Sequence, residues 1–447
     1  MRRLDELIQQ HCPDGVEYKP LWALTAWDKH FKGVDKSMQK RVIPYKYYLS
    51  TDFDKVERDY GTIPYIATGI TDKKRFTTEE LAKDYLAEGE IVCIPGGGTP
   101  NVKYYKGKFV TGDNRIATSL DRNILSNKFL YYWLQNNIKE ISGFYRGSGI
   151  KHPSMKSVLE LQIPIPPLPV QEEIVRILDT FTSLTAELTA ELTARRKQYE
   201  YYRDALLITT QKRLPHGFDF ATQNQPSQEQ ENRRFSESAW QYKTLGEIFD
   251  TRNGYTPSTS NSEFWDNGTI PWFVMEDIRE NGRVLSESKQ HITQTAVKKS
   301  GLFPANSIIV ATSATIGEHA LITTDFLCNQ RFTCLSPKAE YKSKIDMKYM
   351  FYYAFKLDEF CKKNTTKSSF ASVDMSKFYD FKLPLPPLEV QERIVNVLDN
   401  FDSICTDLKI GLPAEIEARQ KQYGYYRDLL LNFDTIQNTP PPLLSKR

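Results

Sequence analysis

Two stretches of this chain, LQIPIPPLPVQEEIVRILDTF (161–181) and FKLPLPPLEVQERIVNVLDNF (381–401), are two versions of one sequence. They are identical at 12 of 21 positions, at a constant separation of 220 residues. Self-similarity of this length at a fixed separation marks a duplicated structural unit. The chain is therefore organised as two copies of one pattern.

Further matches extend the two copies in both directions. ARRKQYEYYRDALL (194–207) matches ARQKQYGYYRDLLL (418–431) at 11 of 14 positions, now with a separation of 224 residues. Weaker echoes lie ahead of each shared segment: 16–24 with 240–248, 128–132 with 348–352, and the runs around Arg115 and Arg331. The order along the chain is variable domain, shared segment, variable domain, shared segment.

The shared segment predicts one long helix. Prolines 164, 166 and 167 give it a rigid extended entry, and Pro169 followed by Glu172 and Glu173 suits a first helical turn. Apolar residues then recur at steps of three and four as far as Leu206, which predicts a helix of about 40 residues. So long a helix with a narrow apolar stripe needs a partner. The second copy, 388–432, is the obvious one, in a pseudo-twofold antiparallel coiled coil with a globular domain at each end.

The two predicted helices differ in length by one four-residue unit. The first contains TAELTAEL (185–192), where the second has CTDLKIGLPAEI (405–416). The first helix thus has two four-residue units at the position where the second has three. Each unit lengthens a helix by about 6 Å and turns its end by about 40°. A DNA base pair rises about 3.4 Å and turns roughly 35°. Two interpretations fit the repeat: the number of units sets the distance between the two domains, as a ruler, or the units only extend a helix with good helix-forming residues, as a filler. Gly411 and Pro413 predict a break in the second helix.

Composition is that of a soluble globular protein, with 40% hydrophobic and 26% charged residues and a net charge of +3. The six cysteines are scattered without metal-binding spacing, and no run of 18 apolar residues is present, which favours a cytoplasmic protein without a metal or membrane segment. Residues 1–160 carry 25 basic and 20 acidic side chains. Nucleic-acid binding would therefore depend on local patches.

The variable parts are predicted to be mixed α/β, because GEIVCIP (89–95), KFVTGDN (108–114) and SIIVATSA (307–314) have strand character. The fold class predicted is α+β. We expect the following divisions: variable domain 1–160, helical segment 161–215, polar linker 216–239, variable domain 240–380, helical segment 381–432 and a tail 433–447.

Taken together, these motifs resemble the DNA specificity (S, HsdS-type) subunits of type I restriction-modification systems. The resemblance is carried by the motif PxPPLxxQExIVxxLDxF, the ending KQYxYYRDxLL, the TAEL units, and RNGYTPST (252–259) with IPWFVMEDI (270–278). It implies two target-recognition domains, each reading one half of an asymmetric split DNA target across a spacer set by the helices. It also implies two methyltransferase subunits and two restriction subunits as partners. S-adenosylmethionine would then lie on the methyltransferase subunit, and ATP and Mg on the restriction subunit, with no cofactor on this chain.

The sequence itself offers no catalytic constellation. PGGGTP (95–100) is followed by Asn101, where a dinucleotide fingerprint needs glycine, so a tight turn near DNA is favoured over a nucleotide cradle. There is no Walker loop and no Asn/Asp-Pro-Pro-aromatic loop. A stand-alone enzyme is therefore disfavoured. A protein–protein adaptor that never touches DNA stays open as the alternative to a DNA-reading scaffold, and a salt-dependent affinity for DNA would separate the two.

DNA contact needs Lys and Arg for phosphates and Arg, Asn, Gln or Lys for base edges. Arg115 and Arg331 recur at matched positions in two domains that are expected to read different sequences. Such a shared position suits a phosphate contact or a structural role better than recognition of a base. The DNA-binding candidates are Lys73, Lys74, Arg75, Lys103, Lys106, Lys108, Arg115, Arg146 and Lys151 in the first domain, and Arg252, Asn253, Tyr255, Arg331, Lys362, Lys363 and Lys367 in the second.

Overall fold

The computed structural model describes residues 2–70, 73–207, 241–366, 371–406 and 411–433. The chain forms two compact units, Met1–Thr189 with Glu415–Arg447, and Ala190–Ala414. Each unit contains one variable domain and helical segments from both copies. The predicted linker 216–239 and the tail after residue 433 lie outside the described residues. Within the part of the chain that is described, no helix is long and apolar enough to cross a membrane.

The first variable domain alternates short helices with strands of a twisted sheet. Its elements are α1 (Arg2–His11), β1 (Tyr18–Pro20), α2 (Leu21–Leu24), β2 (Thr25–Trp27), α3 (Ser50–Val56), β3 (Ile63–Ile66), β4 (Phe76–Thr77), α4 (Glu79–Ala82), β5 (Ala87–Pro95), β6 (Lys103–Thr111), β7 (Asn114–Ser119), α5 (Asn127–Asn136), α6 (Ile138–Gly143), β8 (Tyr145–Arg146), β9 (His152–Pro153), α7 (Met155–Glu160) and β10 (Gln162–Pro164), followed by the long helix α8 (Leu168–Leu207).

The second variable domain repeats this scheme with different lengths. Its elements are β11 (Gln241–Thr244), α9 (Leu245–Ile248), β12 (Phe249–Asn253), β13 (Ile270–Phe273), α10 (Met275–Asn281), β14 (Val284–Leu285), β15 (His291–Ile292), β16 (Ser307–Ala311), β17 (His319–Ile322), β18 (Leu327–Cys328), β19 (Phe332–Pro337), α11 (Met347–Lys363), α12 (Met375–Tyr379) and β20 (Lys382–Leu385), followed by α13 (Leu388–Thr406) and α14 (Leu412–Leu431).

Both domains share one sheet order. The first has strands in the order β2-β7-β5-β6-β3-β4 and the second β12-β19-β16-β17-β14, so the first four strands correspond one to one. The central strand β16 is buried along its whole length, and β5 is buried over its second half, 91–95. The duplication therefore extends into the variable domains, where sequence similarity has been lost, and the predicted α+β class is confirmed.

The weak echo ahead of each shared segment is a strand that pairs with the proline-rich entry. Tyr18 faces Pro164 in the antiparallel pair β1–β10, and Tyr242 faces Pro384 in the pair β11–β20. Proline lacks an amide hydrogen and is tolerated only in short edge ladders such as these. The pairing fixes where the chain leaves each domain and enters its helix.

A buried glutamine in each shared segment ties the helix to its domain. The Gln171 amide nitrogen donates to the carbonyls of Ile124 (2.7 Å) and Pro166 (2.8 Å), and its oxygen accepts from the Ser126 amide (2.9 Å). Gln391 makes the equivalent bonds to Lys344, Pro386 and Asp346. Both side chains are fully buried. All partners of this glutamine are backbone groups, so its bonds do not depend on the side chains of the loop that it contacts. The same glutamine can therefore join the shared segment to variable domains of different sequence.

The Asp of each LDxF motif makes a second link. Asp179 accepts from the Tyr132 hydroxyl at 2.5 Å and lies 3.2 Å from the Lys128 ammonium. Asp399 does the same with Tyr352 at 2.6 Å and Lys348 at 2.7 Å. The echo between 128–132 and 348–352 is explained by these two contacts.

The core of each unit includes the end of the helix that belongs to the other copy of the shared segment. In the first unit Phe181 stacks on Tyr426 with ring centroids 5.5 Å apart, and in the second Phe401 stacks on Tyr202 at 5.4 Å. Leu430 and Leu431 likewise belong to the first core, and Leu206 and Leu207 to the second. The start of one helix thus contacts the end of the other copy's helix, which is the reciprocal, antiparallel pairing that the repeat predicts.

The repeated four-residue units lie in the uninterrupted part of α8. Leu184, Leu188 and Leu192 form a half-buried stripe, and the Thr185 and Thr189 hydroxyls donate to carbonyls four residues earlier. In the second copy α13 ends at Thr406 and α14 begins at Leu412, directly after Gly411, with Pro413 in its first turn. Proline is tolerated there because first-turn amides have no helical partner. Residues 407–410 are outside the described part of the chain.

Candidate nucleic-acid interface

Four loops of the first domain are joined at one end of strand β7. The Gly96 amide donates to the Asp113 carbonyl (2.8 Å) and the Gly112 amide to the Ile66 carbonyl (2.9 Å). The Asn101 side chain donates to the Thr68 carbonyl at 2.9 Å. The Gly98 amide donates to the Lys151 carbonyl at 2.9 Å. Segments 66–69, 96–101, 112–115 and 145–153 therefore form one connected surface, which we call the first loop surface.

The glycine-rich turn 96–98 supports this surface. A β-carbon at Gly96 would lie 2.4 Å from the Asp113 carbonyl oxygen, and one at Gly97 would lie 2.8 Å from the His152 ring. Both glycines allow close approach of protein to protein, as in a tight turn. This arrangement is consistent with the interpretation of 95–100 as a structural turn.

The first domain has exposed cations on the first loop surface and outside it. Arg146 and Lys151 are exposed on the surface itself. Lys73 and Lys74 are exposed in the segment before β4, where Lys73 lies 3.8 Å from Glu57. Lys106 and Lys108 are exposed on β6, in the hairpin formed by β5 and β6. They lie in cross-strand register with Glu90 and Glu88 on β5. Lys108 also pairs with Glu79 at 2.8 Å. Lys73 and Lys108 each lie in an ion pair and are less available to phosphates. Arg146 and Lys151 on the first loop surface, together with the exposed Lys74, are the better candidates.

Arg75 has a structural role that the sequence did not reveal. Its guanidinium is 15% exposed, binds Glu57 (2.7 Å) and Asp54, and covers the Phe53 ring at 4.8 Å. The hydrogen bond to Glu57 raises the pKa of Arg75 and lowers the pKa of Glu57. The side chain therefore fastens β4 to α3 and its charge is neutralised.

Lys103 and Arg115 are also committed inside the domain. The Lys103 ammonium donates to the carbonyls of Ala67 and Gly69, and burial lowers its pKa. Arg115 is 16% exposed and binds Asp113 at 2.7 Å. Burial alone would raise the pKa of Asp113, but the hydrogen bond and charge of Arg115 leave it below its ordinary value. Both cations support the first loop surface from within.

The second domain joins its loops in a similar way. The Thr256 hydroxyl donates to the Gln330 side-chain oxygen at 2.5 Å, and the Thr312 amide to the Arg331 carbonyl at 3.0 Å. The Val373 amide donates to the Thr312 carbonyl at 2.9 Å. Segments 254–258, 312–317, 329–331 and the described parts of 364–373 form the second loop surface. It lies, like the first, where the central strands end.

Arg331, Lys362 and Lys363 are exposed on or beside the second loop surface. Arg331 is therefore not equivalent to Arg115, although the two recur in sequence: one side chain is exposed and the other is held in an ion pair. The candidate Lys367 lies outside the described residues.

The other second-domain candidates make contacts inside the domain. Arg252 donates to the carbonyls of Ser300, Gly301 and Leu302 and covers the Phe303 ring at 4.2 Å. The Tyr255 hydroxyl donates to the Ala296 carbonyl (2.9 Å), and the Asn253 oxygen accepts from Thr333 (2.9 Å). Arg252 and Tyr255 thus hold the segment 296–302 in place, while Asn253 joins β12 to β19.

Sequence reasoning missed uncharged side chains on these surfaces. Thr256 and Gln330 are exposed hydrogen-bonding groups on the second, and Ile150 is 70% exposed on the first. Only the loop position and the glycines around them could have pointed to these residues. Among the described residues, no three His, Cys, Asp or Glu side chains are grouped as metal ligands.

Two domains with one frame, one set of helix anchors and different loop surfaces define a protein with two distinct recognition surfaces. Residues 46–195 and 237–418 match the family model described as the type I restriction modification DNA specificity domain. The specificity subunit of the type I restriction enzyme EcoR124I/EcoR124II from Escherichia coli is 34% identical over 95% of this chain and 96% of that protein. The EcoprrI specificity subunit from the same organism is 54% identical over 42% of this chain, and that match spans 49% of the relative.

Solved structures agree on the fold. The S subunit of a type I restriction-modification system from M. genitalium has a TM-score of 0.54 at 15% identity, covering 93% of this chain and 96% of that one. A chain from a structural study of type I complex assembly has a TM-score of 0.53 at 16% identity, covering 94% and 99%. The chain belongs to the family of type I restriction-modification DNA specificity subunits.

Proposed function

We propose that this chain is a non-catalytic DNA reader in which each variable domain recognises one half of a split, asymmetric target. The observation that carries the proposal is the contrast within the duplication. The frame and its anchors, Gln171 and Gln391, are the same in both domains, while the loop surfaces expose different side chains. Two different surfaces on one frame are suited to two different half-sites.

The finer assignments follow from this role. Lys74, Arg146 and Lys151 contact phosphates of the first half-site, and Arg331, Lys362 and Lys363 contact those of the second. These cations are exposed on their domains, and phosphate contacts dominate the affinity of proteins for DNA. Helices α8, α13 and α14 set the unread spacer, and the shared segments 161–215 and 381–432 dock two methyltransferase subunits, to which two restriction subunits can be added.

Catalysis then belongs to those partners in the cytoplasm. The methyltransferase subunits hold S-adenosylmethionine and methylate adenine, and the restriction subunits hold ATP and Mg for cleavage. This division fits the sequence, which has neither a cofactor loop nor a Walker loop.

A methylome tests reading and spacing together. Cells would express this chain with its methyltransferase subunit, in three forms: wild type, an insertion of a third TAEL after Leu192, and a same-length control with Thr185→Ala and Thr189→Ala. A split methyladenine motif in all three supports reading. A wider gap in the insertion variant alone supports the ruler, because the control keeps the helix length.

The other results are equally informative. The same gap in all three forms would reduce the TAEL units to filler and leave the reading role intact. No methylation motif dependent on this chain would contradict the proposed function.

A further inference from the structure

Ile150 lies at the tip of the hairpin between β8 and β9, where its side chain is 70% exposed. Its neighbours on the hairpin are the exposed cations Arg146 and Lys151. A single exposed apolar residue on a surface needs no explanation in general. This one is notable for how firmly the surrounding backbone is held.

The hairpin is fixed by four hydrogen bonds at its base and side. The Tyr145 hydroxyl donates to the Pro95 carbonyl at 2.8 Å, and the His152 Nδ1 lies 2.6 Å from the Gly96 carbonyl oxygen. The Gly98 amide donates to the Lys151 carbonyl at 2.9 Å, and the Ser154 amide to the Phe144 carbonyl at 2.9 Å. Ile150 is therefore presented on a pre-ordered backbone, which lowers the entropic cost of binding.

Two glycines are needed for this presentation. A β-carbon at Gly97 would lie 3.0 Å from the Ile150 Cγ2 atom, so a side chain there would push Ile150 away. Gly147 has a φ of +142°, and its β-carbon would lie 2.9 Å from the Ile150 carbonyl oxygen. The positive φ of the turn therefore requires glycine at 147. The absence of a side chain at Gly97 leaves the space that Ile150 occupies.

We propose that Ile150 reads a thymine by contacting its 5-methyl group in the major groove, an inference that rests on the proposed DNA-reading function. The thymine methyl is the apolar feature that the major groove offers, and apolar side chains are its usual partners. Arg146 and Lys151 on either side are placed for the flanking phosphates. Ile150 is then a specificity-determining residue of the first domain.

The second loop surface predicts a different mode. None of its described large apolar side chains is exposed, and it offers the Thr256 hydroxyl and the Gln330 amide instead. Methyl recognition by an exposed aliphatic side chain is therefore expected in one half-site only.

Replacement of thymine by uracil tests the inference, since it removes only the methyl group. Duplexes carrying the methylated motif would have each thymine of both half-sites changed singly to uracil. Binding to the complex of this chain with its methyltransferase subunits would be measured by competition at fixed salt. We expect one position at which uracil weakens wild-type binding about four-fold, the effect of one buried methyl group.

Variants identify the residue responsible. Ile150→Ala should bind the thymine and uracil duplexes equally at that position. Ile124→Ala is the matched control, because Ile124 is 43% exposed but follows the far end of β7, which lies about 13 Å of extended strand from the first loop surface. The control should keep the four-fold difference.

Two results would overturn the proposal. Specific binding with no uracil effect at any position, or the same uracil effect in Ile150→Ala as in wild type, removes Ile150 as the thymine reader while the reading function stands. A complex with no preference for any motif would refute the proposed function itself, and this inference with it.

Discussion

Replacing Gln171 with methionine should destabilise the first unit by about 3 kcal/mol, because three hydrogen bonds disappear while the volume is kept. The Ser126 amide and the Ile124 and Pro166 carbonyls each lose their Gln171 partner, at distances of 2.9, 2.7 and 2.8 Å. A net contribution of about 1 kcal/mol for each bond gives the total, and any group left unpaired in the interior adds to it.

Urea denaturation of the purified chain, followed by hydrogen exchange at residues 120–130, measures the loss and locates it. Gln391→Met should cost the same in the second unit, since its three bonds are equivalent. Gln162→Met is the control, because that side chain makes one exposed bond, to the Glu160 carbonyl, and should change stability by less than about 0.5 kcal/mol. A Gln171→Met variant as stable as this control would refute the view that the glutamine anchors helix to domain.

Three further outcomes follow from the contacts described. A double-mutant cycle on Phe181→Leu and Tyr426→Leu should give a coupling of about 0.5–1.5 kcal/mol in urea unfolding, from the stacked rings, and additive effects would exclude a direct contact. Because the hydrogen bond to Arg75 lowers the pKa of Glu57, its stabilisation is complete above the unfolded pKa of about 4.3 and is lost as pH falls through the folded pKa. The stability gap between wild type and Glu57→Gln should thus close in acid, and a gap that is constant with pH would contradict this. Lys151→Gln should reduce the salt slope of DNA binding by about 0.9, and an unchanged slope would remove it from the phosphate contacts.

The sequence predicted the frame because the frame is duplicated. The 40-residue helix, its proline entry and its antiparallel partner all follow from positions that recur at 220 or 224 residues, and α8 spans Leu168–Leu207 as a 40-residue helix. Gln171 and Asp179 belong to that recurring set, and their bonds to backbone and to Tyr132 and Lys128 explain why those residue types are repeated.

The interface could be predicted only in part. Arg75, Lys103 and Arg252 look like exposed cations in sequence, but their partners lie far along the chain, such as Glu57, 18 residues before Arg75, and Ser300, 48 residues after Arg252. Charge alone does not show whether a cation faces solvent or an internal acceptor. Loop geometry decides that, and it depends on long-range pairing.

The reciprocal exchange of helix ends has a consequence for how the chain is made. The core around Leu178 in the first unit also contains Leu430 and Leu431, which leave the ribosome about 250 residues later. At synthesis rates of about 5–20 residues per second, the apolar face at the start of α8 stays exposed for roughly 13–50 s before Leu430 and Leu431 are made and can pack on it. The N-terminal domain is thus among the first parts to be translated and among the last to be finished. A ribosome that stops early releases a chain whose first domain lacks these contacts, so completion of that domain reports that translation has reached α14.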